Sequence, residues 1–217
     1  MWIQDIPKRA IADIILKQSG LYGLYEKRLE SKILGESLPN HIAIILDGNR
    51  RWAKYGLTGT KIGHLQGADR AEELLNWIND LGIRITTLYV LSTENLDRSD
   101  DELNNIFELL QQKLERLYAD SRIHKRQMKI KAIGNVLLLP SPLQNILHKL
   151  EKETDKYSSM FLNIAVAYGG QKELVDAIRQ IASRTKTGHL KVEDINEKLI
   201  ESYLYTSHLP QPEPALI

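Results

Sequence analysis

The stretch that decides the fold is HIAIILDGNRRW at residues 41–52. Its first six residues form a short and nearly continuous apolar run, which is typical of a parallel strand buried on both faces. The polar turn Asp47-Gly48-Asn49 follows at once and leads into a helix. In open α/β sheets, ligands bind beyond the carboxyl ends of the strands. Asp47 therefore occupies the position where such a sheet carries its ligand-binding side chains.

The rest of the chain alternates between strand patterns and helix patterns. Apolar, β-branched runs predict further strands over residues 84–91, 128–133 and 162–166. Apolar residues at helical spacing predict helices over residues 68–81, 100–120, 141–155 and 171–184. Because strands that alternate with helices imply right-handed crossovers, we predict an α/β fold with a mostly parallel central sheet flanked by helices.

The N-terminal residues 1–38 are predicted to form a helical extension, ahead of a main domain over residues 39–217. Apolar residues at helical spacing predict one helix over residues 8–35. An amphipathic contact with a membrane or a partner is one interpretation of this helix, and packing on the protein's own core is the other. The near balance of six basic and five acidic residues in the extension favours packing.

The composition restricts the class of protein. In 217 residues, 42% are hydrophobic and 26% are charged, which supports a folded domain and argues against a disordered chain. The net charge of +1 shows no bias toward nucleic acid. The lack of cysteine excludes disulfides and thiolate metal sites and suits a reducing compartment. Apolar runs are far shorter than a membrane span requires, so we predict a cytoplasmic protein.

The chemistry of the first loop favours a phosphate ligand. Gly48 lets the backbone come close to a ligand, and Arg50 and Arg51 carry planar charged groups that match phosphate oxygens. A carboxylate such as Asp47 would repel phosphate unless a hard cation lay between them, which indicates Mg²⁺. The alternative is that Asp47 caps a helix and the arginines are solvated, and the spacing alone leaves both interpretations open.

A second polar loop follows the strand predicted at residues 84–91. Its sequence, Ser92-Thr93-Glu94-Asn95 and then Arg98, would face the same crevice. Ser99 with Glu102 also matches a capping box for the next helix, and both interpretations can hold. His64, which follows a glycine, is either a diphosphate ligand or proton carrier, or a structural histidine.

Taken together, these motifs resemble one enzyme family. HIAIILDGNRRWAK, a Gly-His pair at residues 63–64, LYVLSTENLDR and NIAVAYGGQKEL occur in the order found in cis-prenyltransferases, the undecaprenyl and dehydrodolichyl diphosphate synthases. The resemblance covers residues 39–217. It implies a Mg²⁺-dependent enzyme that condenses isopentenyl diphosphate onto an allylic prenyl diphosphate and builds a cis-polyprenyl diphosphate. It also implies a homodimer, an apolar tunnel walled by helices 68–81 and 100–120, and peripheral membrane association through the product.

The resemblance also assigns roles to residues. Asp47 would be the catalytic Mg²⁺ ligand, and Asn95 matches the residue assigned to proton removal. Because a neutral amide is a poor base, we interpret Asn95 as the residue that positions the proton-accepting group. The substrate-binding residues implied by the family are Gly48, Asn49, Arg50, Arg51, Trp52, Thr60, His64, Ser92, Thr93, Glu94, Leu96 and Arg98.

The sequence departs from the family pattern at several positions. Thr60 stands where an arginine is usual, with Lys61 beside it, and Leu96 replaces an aromatic residue. Ala215 stands at the aspartate that begins the second diphosphate-binding block, and the sequence breaks off two residues later. We therefore expect a domain that is incomplete at its C-terminus, and a 217-residue polypeptide that is weakly active or inactive.

Two other functions stay open at this point. The altered allylic site is compatible with prenyl transfer to an acceptor other than isopentenyl diphosphate. A non-catalytic prenyl-diphosphate-binding subunit is the second alternative, although such subunits typically lose the loop at residues 47–49 that is kept here. The sequence does not predict product length or the preferred allylic primer, because both depend on the volume of the tunnel.

Overall fold

Four short apolar segments form one parallel sheet. The computed structural model describes residues 21–55, 60–210 and 214–215. The strands are β1 (His41–Ile45), β2 (Ile85–Tyr89), β3 (Met128–Ile133) and β4 (Met160–Ala165). Their order in the sheet is β1-β2-β4-β3, and every neighbouring pair is parallel. The predicted α/β class with a parallel central sheet is confirmed.

Helices connect and flank the strands. Those in the described part of the chain are α1 (Leu21–Leu34), α2 (Asn49–Tyr55), α3 (Thr60–Asp80), α4 (Asp100–Ala119), α5 (Ser121–Lys125), α6 (Ser141–Thr154), α7 (Gly170–Lys186) and α8 (Glu197–Glu201). The chain divides into two units, Met1–Leu38 and Pro39–Ile217. Helix α1 belongs to the first unit, and part of the predicted helix over residues 8–35 lies outside the described residues.

Helix α3 begins earlier than the sequence pattern predicts. The apolar periodicity starts near residue 68, whereas the helix begins at Thr60 and ends at Asp80. The first two turns hold few apolar residues, because this part of the helix contacts α2 rather than the main core. Gly63 and His64 therefore lie on a helix and not in a loop. The helix ends just before Gly82, which adopts a left-handed φ of 74°.

The core lies between the sheet and the helices that cover it. Apolar residues that recur at helical spacing bury one face of α4 through Ile106, Leu110 and Leu114. Helix α6 buries Leu143, Leu147 and Leu150 in the same cluster, together with Ile130 of β3 and Leu162 of β4. Because β1 and β2 are parallel neighbours, the loops that follow them begin at the same edge of the sheet.

The chain returns to β1 near residue 215. The amide of Ala215 donates a hydrogen bond of 3.0 Å to the carbonyl of His41. Residues 211–213 and 216–217, on either side of this point, lie outside the described part of the chain. None of the described helices combines the length and the apolar character that crossing a membrane requires.

Candidate active site

The loops after β1 and β2 enclose a polar cavity of about 550 Å³. Many of the predicted site residues line it, joined by four apolar side chains. The lining consists of Leu46, Asp47, Gly48, Asn49, Arg50, Arg51, His64, Val90, Leu91, Asn95, Arg98 and Ile106. Residues that are far apart in the sequence therefore meet at one place, at the carboxyl edge of the sheet.

Asp47 lies two residues after the end of β1 and is held by short local contacts. Its Oδ1 accepts a hydrogen bond of 2.5 Å from the Gly48 amide, and its Oδ2 lies 3.0 Å from Nη2 of Arg51. Gly48 has a φ of 89°, in the left-handed region that favours glycine. Both members of the Asp47–Arg51 pair are exposed, so the pair contributes little stability and either group is free to turn to a ligand.

Helix α2 lies against α3 at two glycines. A β-carbon at Gly63 would lie 2.5 Å from the carbonyl oxygen of Asn49 and 2.8 Å from the Ala53 β-carbon. A β-carbon at Gly67 would lie 2.1 Å from Oδ1 of Asn49. The missing side chains thus let α2 contact α3 closely, and they place the Asn49 side chain against the Gly67 backbone. This contact positions Asn49 at the edge of the cavity.

Glu102 joins three side chains around the cavity, a position that its sequence pattern did not predict. Its Oε1 lies 3.0 Å from Nη1 of Arg98, 3.2 Å from Nε2 of His64 and 3.7 Å from Nε of Arg50. The capping-box interpretation of Glu102 is wrong in one respect, since the side chain of its N-cap partner, Ser99, makes no cap hydrogen bond. Arg98 and Glu102 are four residues apart, and this spacing is the sequence feature from which their contact could have been predicted.

The loop after β2 is held by its own side chains and by the segment after β4. The Ser92 amide donates to Oδ1 of Asn95 at 3.2 Å, and the Asn95 amide donates to Oγ of Ser92 at 3.1 Å. The Thr93 amide donates to the carbonyl of Tyr168 at 3.1 Å. Asn95 thereby lines the cavity with its carboxamide oxygen already bound.

Some predicted site residues lie away from the described lining of this cavity. Ser92 and Thr93 stabilise the loop, and Leu96 packs against the hydrophobic core. Trp52 is half exposed on α2. Glu94 is exposed, and hydrogen bonds from its own backbone amide and from Ser92 lower its pKa. Thr60 begins α3, but its side chain lies outside the described part of the chain.

An apolar cavity of about 340 Å³ adjoins the polar one. It lies between α3, α4 and the sheet, and the helices predicted as tunnel walls contribute Ala71 and Leu75 from α3 and Leu110 and Leu114 from α4. Five lining residues are common to both cavities: Leu46, Asn49, His64, Val90 and Ile106. The polar cavity and the apolar cavity therefore lie side by side and share part of their walls.

A magnesium site depends on oxygen donors that converge on one point. In the described residues, no group of three or more histidine, aspartate or glutamate side chains is arranged to hold a metal ion alone. Magnesium is usually bound in enzymes through one or two carboxylates, with substrate phosphates and water completing its shell. The exposed carboxylate of Asp47, with Arg50 and Arg51 beside it, fits a magnesium ion that would be shared with a bound diphosphate.

Comparison with known proteins assigns the chain to a protein family. A family model described as putative undecaprenyl diphosphate synthase matches residues 45–217. The chain belongs to the undecaprenyl diphosphate synthase family. It is therefore a cis-prenyltransferase, as the motifs at residues 41–54 and 88–98 predicted.

Archaeal members of this family are similar over nearly the whole chain. One from Methanocaldococcus jannaschii is 42% identical over 217 residues, which cover 99% of this chain and 78% of the relative. One from Pyrococcus abyssi is 43% identical over 192 residues, which cover 88% of this chain and 73% of the relative. Both are named tritrans,polycis-undecaprenyl-diphosphate synthase (geranylgeranyl-diphosphate specific). Both are thus named as synthases and not as accessory subunits.

Solved structures of family members share the fold. Lavandulyl diphosphate synthase from Lavandula x intermedia, crystallised with dimethylallyl diphosphate, is 32% identical and matches with a TM-score of 0.78. The match covers 82% of this chain and 76% of that one. A probable undecaprenyl diphosphate synthase from Campylobacter jejuni is 26% identical with a TM-score of 0.57, over 78% of this chain and 71% of that one.

Proposed function

We propose that this cis-prenyltransferase condenses isopentenyl diphosphate onto geranylgeranyl diphosphate and builds a cis-polyprenyl diphosphate. The observation that carries the proposal is the junction of an arginine-lined polar cavity with an apolar cavity. This pair of cavities matches an amphiphilic substrate with a diphosphate head and a hydrocarbon tail. The geranylgeranyl-diphosphate specificity in the names of the archaeal relatives supports this choice of allylic substrate.

The polar cavity would bind the allylic diphosphate. Arg50, Arg51 and Arg98 line it, with His64 beside them. During the reaction the bond between the allylic carbon and the diphosphate oxygen breaks, and negative charge grows on the leaving diphosphate. Cationic donors around that group stabilise the charge more in the transition state than in the bound substrate. The hydrocarbon tail would extend past Leu46 and Val90 into the apolar cavity.

Asp47 would hold Mg²⁺ together with the substrate diphosphate. Its carboxylate is exposed and is bound in the protein by the Gly48 amide and Arg51. An ion pair between exposed groups is weak. Little free energy is therefore lost when Asp47 gives up its contact with Arg51 and binds a metal ion instead. When bound, the ion would neutralise charge on the leaving diphosphate.

Asn95 would act after the diphosphate has left. The new carbon–carbon bond joins the allylic carbon to the terminal alkene carbon of isopentenyl diphosphate, and a proton is then lost from the isopentenyl unit. The carboxamide oxygen of Asn95 already accepts a hydrogen bond from Ser92, and a neutral amide is a poor base. We therefore assign Asn95 to positioning the group that accepts the proton.

The direct test is an elongation assay on the intact protein. Geranylgeranyl diphosphate, labelled isopentenyl diphosphate and Mg²⁺ should yield longer prenyl diphosphates, resolved by length, and a chelator should abolish them. The absence of any elongated product would overturn the proposal. A parallel panel of other acceptors and shorter primers would separate this reaction from prenyl transfer to a different acceptor.

Replacing Asp47 tests the metal site. The Asp47→Asn variant keeps the size of the side chain but loses its charge, so we expect kcat to fall roughly 10²- to 10³-fold, as when one transition-state donor is removed. The half-saturating Mg²⁺ concentration should rise. The Asp101→Asn variant changes an exposed aspartate on α4 and should behave as wild type. Unchanged Mg²⁺ dependence in the Asp47 variant would contradict the assignment.

We also propose a homodimer located in the cytoplasm. Helix α7 exposes the apolar side chains Leu174, Val175 and Ile178, and contact with a second copy would remove them from water. Sedimentation of the intact protein should give twice the mass of one chain. An Ile178→Asp variant should shift the population toward the single chain, whereas the same change at exposed Val192 should not. A single-chain mass for the wild type would contradict the dimer.

A further inference from the structure

The carboxylate of Glu102 is a partly buried junction between three segments. Its side chain is 14% exposed and lies in the first turn of α4. Its three partners are Arg50 on α2, His64 on α3 and Arg98 in the loop after β2. One carboxylate oxygen therefore holds groups from three parts of the chain that are separate in the sequence.

The three partners face the cavity that Glu102 itself does not line. Arg50, His64 and Arg98 are among the described lining residues of the polar cavity, whereas Glu102 contacts them from the side of α4. The side chain of Arg98 is 20% exposed and that of His64 is 10% exposed. Hydrogen bonds to charged groups are strong, and partial burial strengthens them further, so these contacts restrict how both side chains can turn.

The helix cap does not account for Glu102. In a capping box the N3 carboxylate bonds back to the N-cap residue and the N-cap side chain bonds forward. The N-cap residue, Ser99, has no side-chain cap hydrogen bond, and Oε1 of Glu102 contacts Arg98 and His64 instead. The carboxylate is thus oriented toward Arg98 and His64 at the cavity and does not serve as a cap for its own helix.

We propose that Glu102 is a positioning residue that orients Arg98 and His64 toward the allylic diphosphate. This inference rests on the proposed function, because it assumes that the polar cavity binds that group. Two arginines against one carboxylate leave the cluster positively charged, so it still attracts an anion. The opposing model is that Glu102 competes with the diphosphate for these cations, and it predicts tighter binding when the charge is removed.

The two models give opposite results for the Glu102→Gln variant. We would measure binding of the S-thiolo analogue of geranylgeranyl diphosphate, which does not ionise, to the intact protein by calorimetry. Loss of the charged hydrogen bonds should weaken binding about tenfold, the size expected for one such bond. The Glu108→Gln variant changes an exposed glutamate on the same helix and should bind as wild type. Equal or tighter binding by the Glu102 variant would overturn the proposal.

A double-mutant cycle distinguishes positioning from a general structural role. If Glu102 acts through Arg98, the Glu102→Gln change should weaken binding much less in an Arg98→Gln background than in the wild type. The Glu102→Asp variant keeps the charge one methylene further away and should recover part of the affinity. Additive effects, or no recovery with aspartate, would overturn the proposal.

Two controls distinguish failure of the positioning role from misfolding of the variant and from failure of the proposed function. Thermal unfolding shows whether the Glu102→Gln variant is folded. If that variant does not fold, the same binding measurement is made on the Glu102→Asp variant. If the wild type binds the analogue and shows the Glu102 effect but forms no elongated product, the proposed function fails while the positioning role stands. If elongation proceeds and the Glu102 effect is missing, only the positioning role fails.

Discussion

Gly67 positions an active-site side chain by having no side chain of its own. Oδ1 of Asn49 lies where a β-carbon of residue 67 would be, and the conflict involves only the end of a side chain that can rotate. At Gly63 the conflict involves the backbone carbonyl of Asn49 and the β-carbon of Ala53. A methyl group at Gly67 would therefore move one side chain, whereas a methyl group at Gly63 would move helix α2.

This difference predicts distinct results for two alanine variants. The Gly67→Ala variant should lower activity at least tenfold because Asn49 moves, with a change in unfolding free energy below about 1 kcal/mol, since alanine favours a helix. The Gly63→Ala variant should lower both activity and stability, the latter by about 1–3 kcal/mol, as for overpacking. Urea unfolding and elongation rates measure the two quantities.

Gly170 provides the matched control. It begins α7, and a β-carbon there would meet no atom within 4 Å. The Gly170→Ala variant should retain both wild-type activity and wild-type stability. Full activity in the Gly67→Ala variant would show that the position of Asn49 does not matter to the reaction.

At the scale of elements, polar contacts join α3 to α4 and to the segment that follows it. Nζ of Lys113 on α4 lies 2.7 Å from both Asp69 and Glu72 on α3. Nη1 of Arg122 donates to Oδ1 of Asn76 at 2.9 Å. Lys113, Asn76 and Arg122 also line the apolar cavity, so these contacts close part of its wall.

Lys113 is charged in spite of its partial burial. Burial opposes its charge, but hydrogen bonds with Asp69 and Glu72 outweigh that effect and raise the pKa of Lys113. The Lys113→Ala variant should lose about 1 kcal/mol of unfolding free energy, because one half-exposed ion-pair network is removed. Urea unfolding at low and at high salt measures the loss, which salt should reduce.

The control for Lys113 is a lysine on α5. Lys125 is exposed, and its alanine variant should match wild-type stability at both salt concentrations. An equal loss at low and high salt in the Lys113 variant would indicate that its aliphatic stem, and not its charge, holds the two helices together.

At the scale of the whole molecule, a chain of buried and partly buried polar groups attaches the segment near residue 208 to the sheet. Nε2 of His208 lies 2.9 Å from Oδ1 of Asn163, whose amide donates to Oγ1 of Thr87 at 3.0 Å. Nε2 of His41 lies 2.9 Å from the same Thr87 oxygen. Three strands and the C-terminal segment therefore share one network.

The network makes stability depend on pH. Burial lowers the pKa of His208, opposed by the Tyr205 carbonyl, and the nearby Lys131 and Lys129 lower it further while Glu151 raises it. The folded protein thus binds fewer protons than the unfolded chain below the ordinary histidine pKa of 6.5. The stabilisation is complete above that value and is lost as pH falls through the lowered pKa of the folded state.

The His208→Gln variant tests this dependence. Unfolding free energies from urea titrations at a series of pH values should fall on acidification for the wild type. The fall should be shallower for the variant, because glutamine does not titrate. Parallel pH curves for the two proteins would show that His208 is not the group responsible.

Local patterns predicted most of the architecture because they depend on short-range geometry. The apolar run that forms β1 and the stripe that buries α4 both follow from residue spacing along one element. The position of Asp47 at the end of a strand likewise follows from topology alone. The start of α3 was missed because its first turns are matched to α2 by glycines, which carry no periodic signal.

The sequence by itself therefore determined the α/β class, the family and the two loops that face one cavity, because order and spacing encode them. Only the tertiary structure decided the partners of Glu102, since His64 lies 38 positions away along the chain. The same holds for the Asn49–Gly67 contact and for the His208 network. A local pattern for Glu102 was compatible with a helix cap, and it was the packing of α3 beside α4 that brought His64 within reach of its carboxylate.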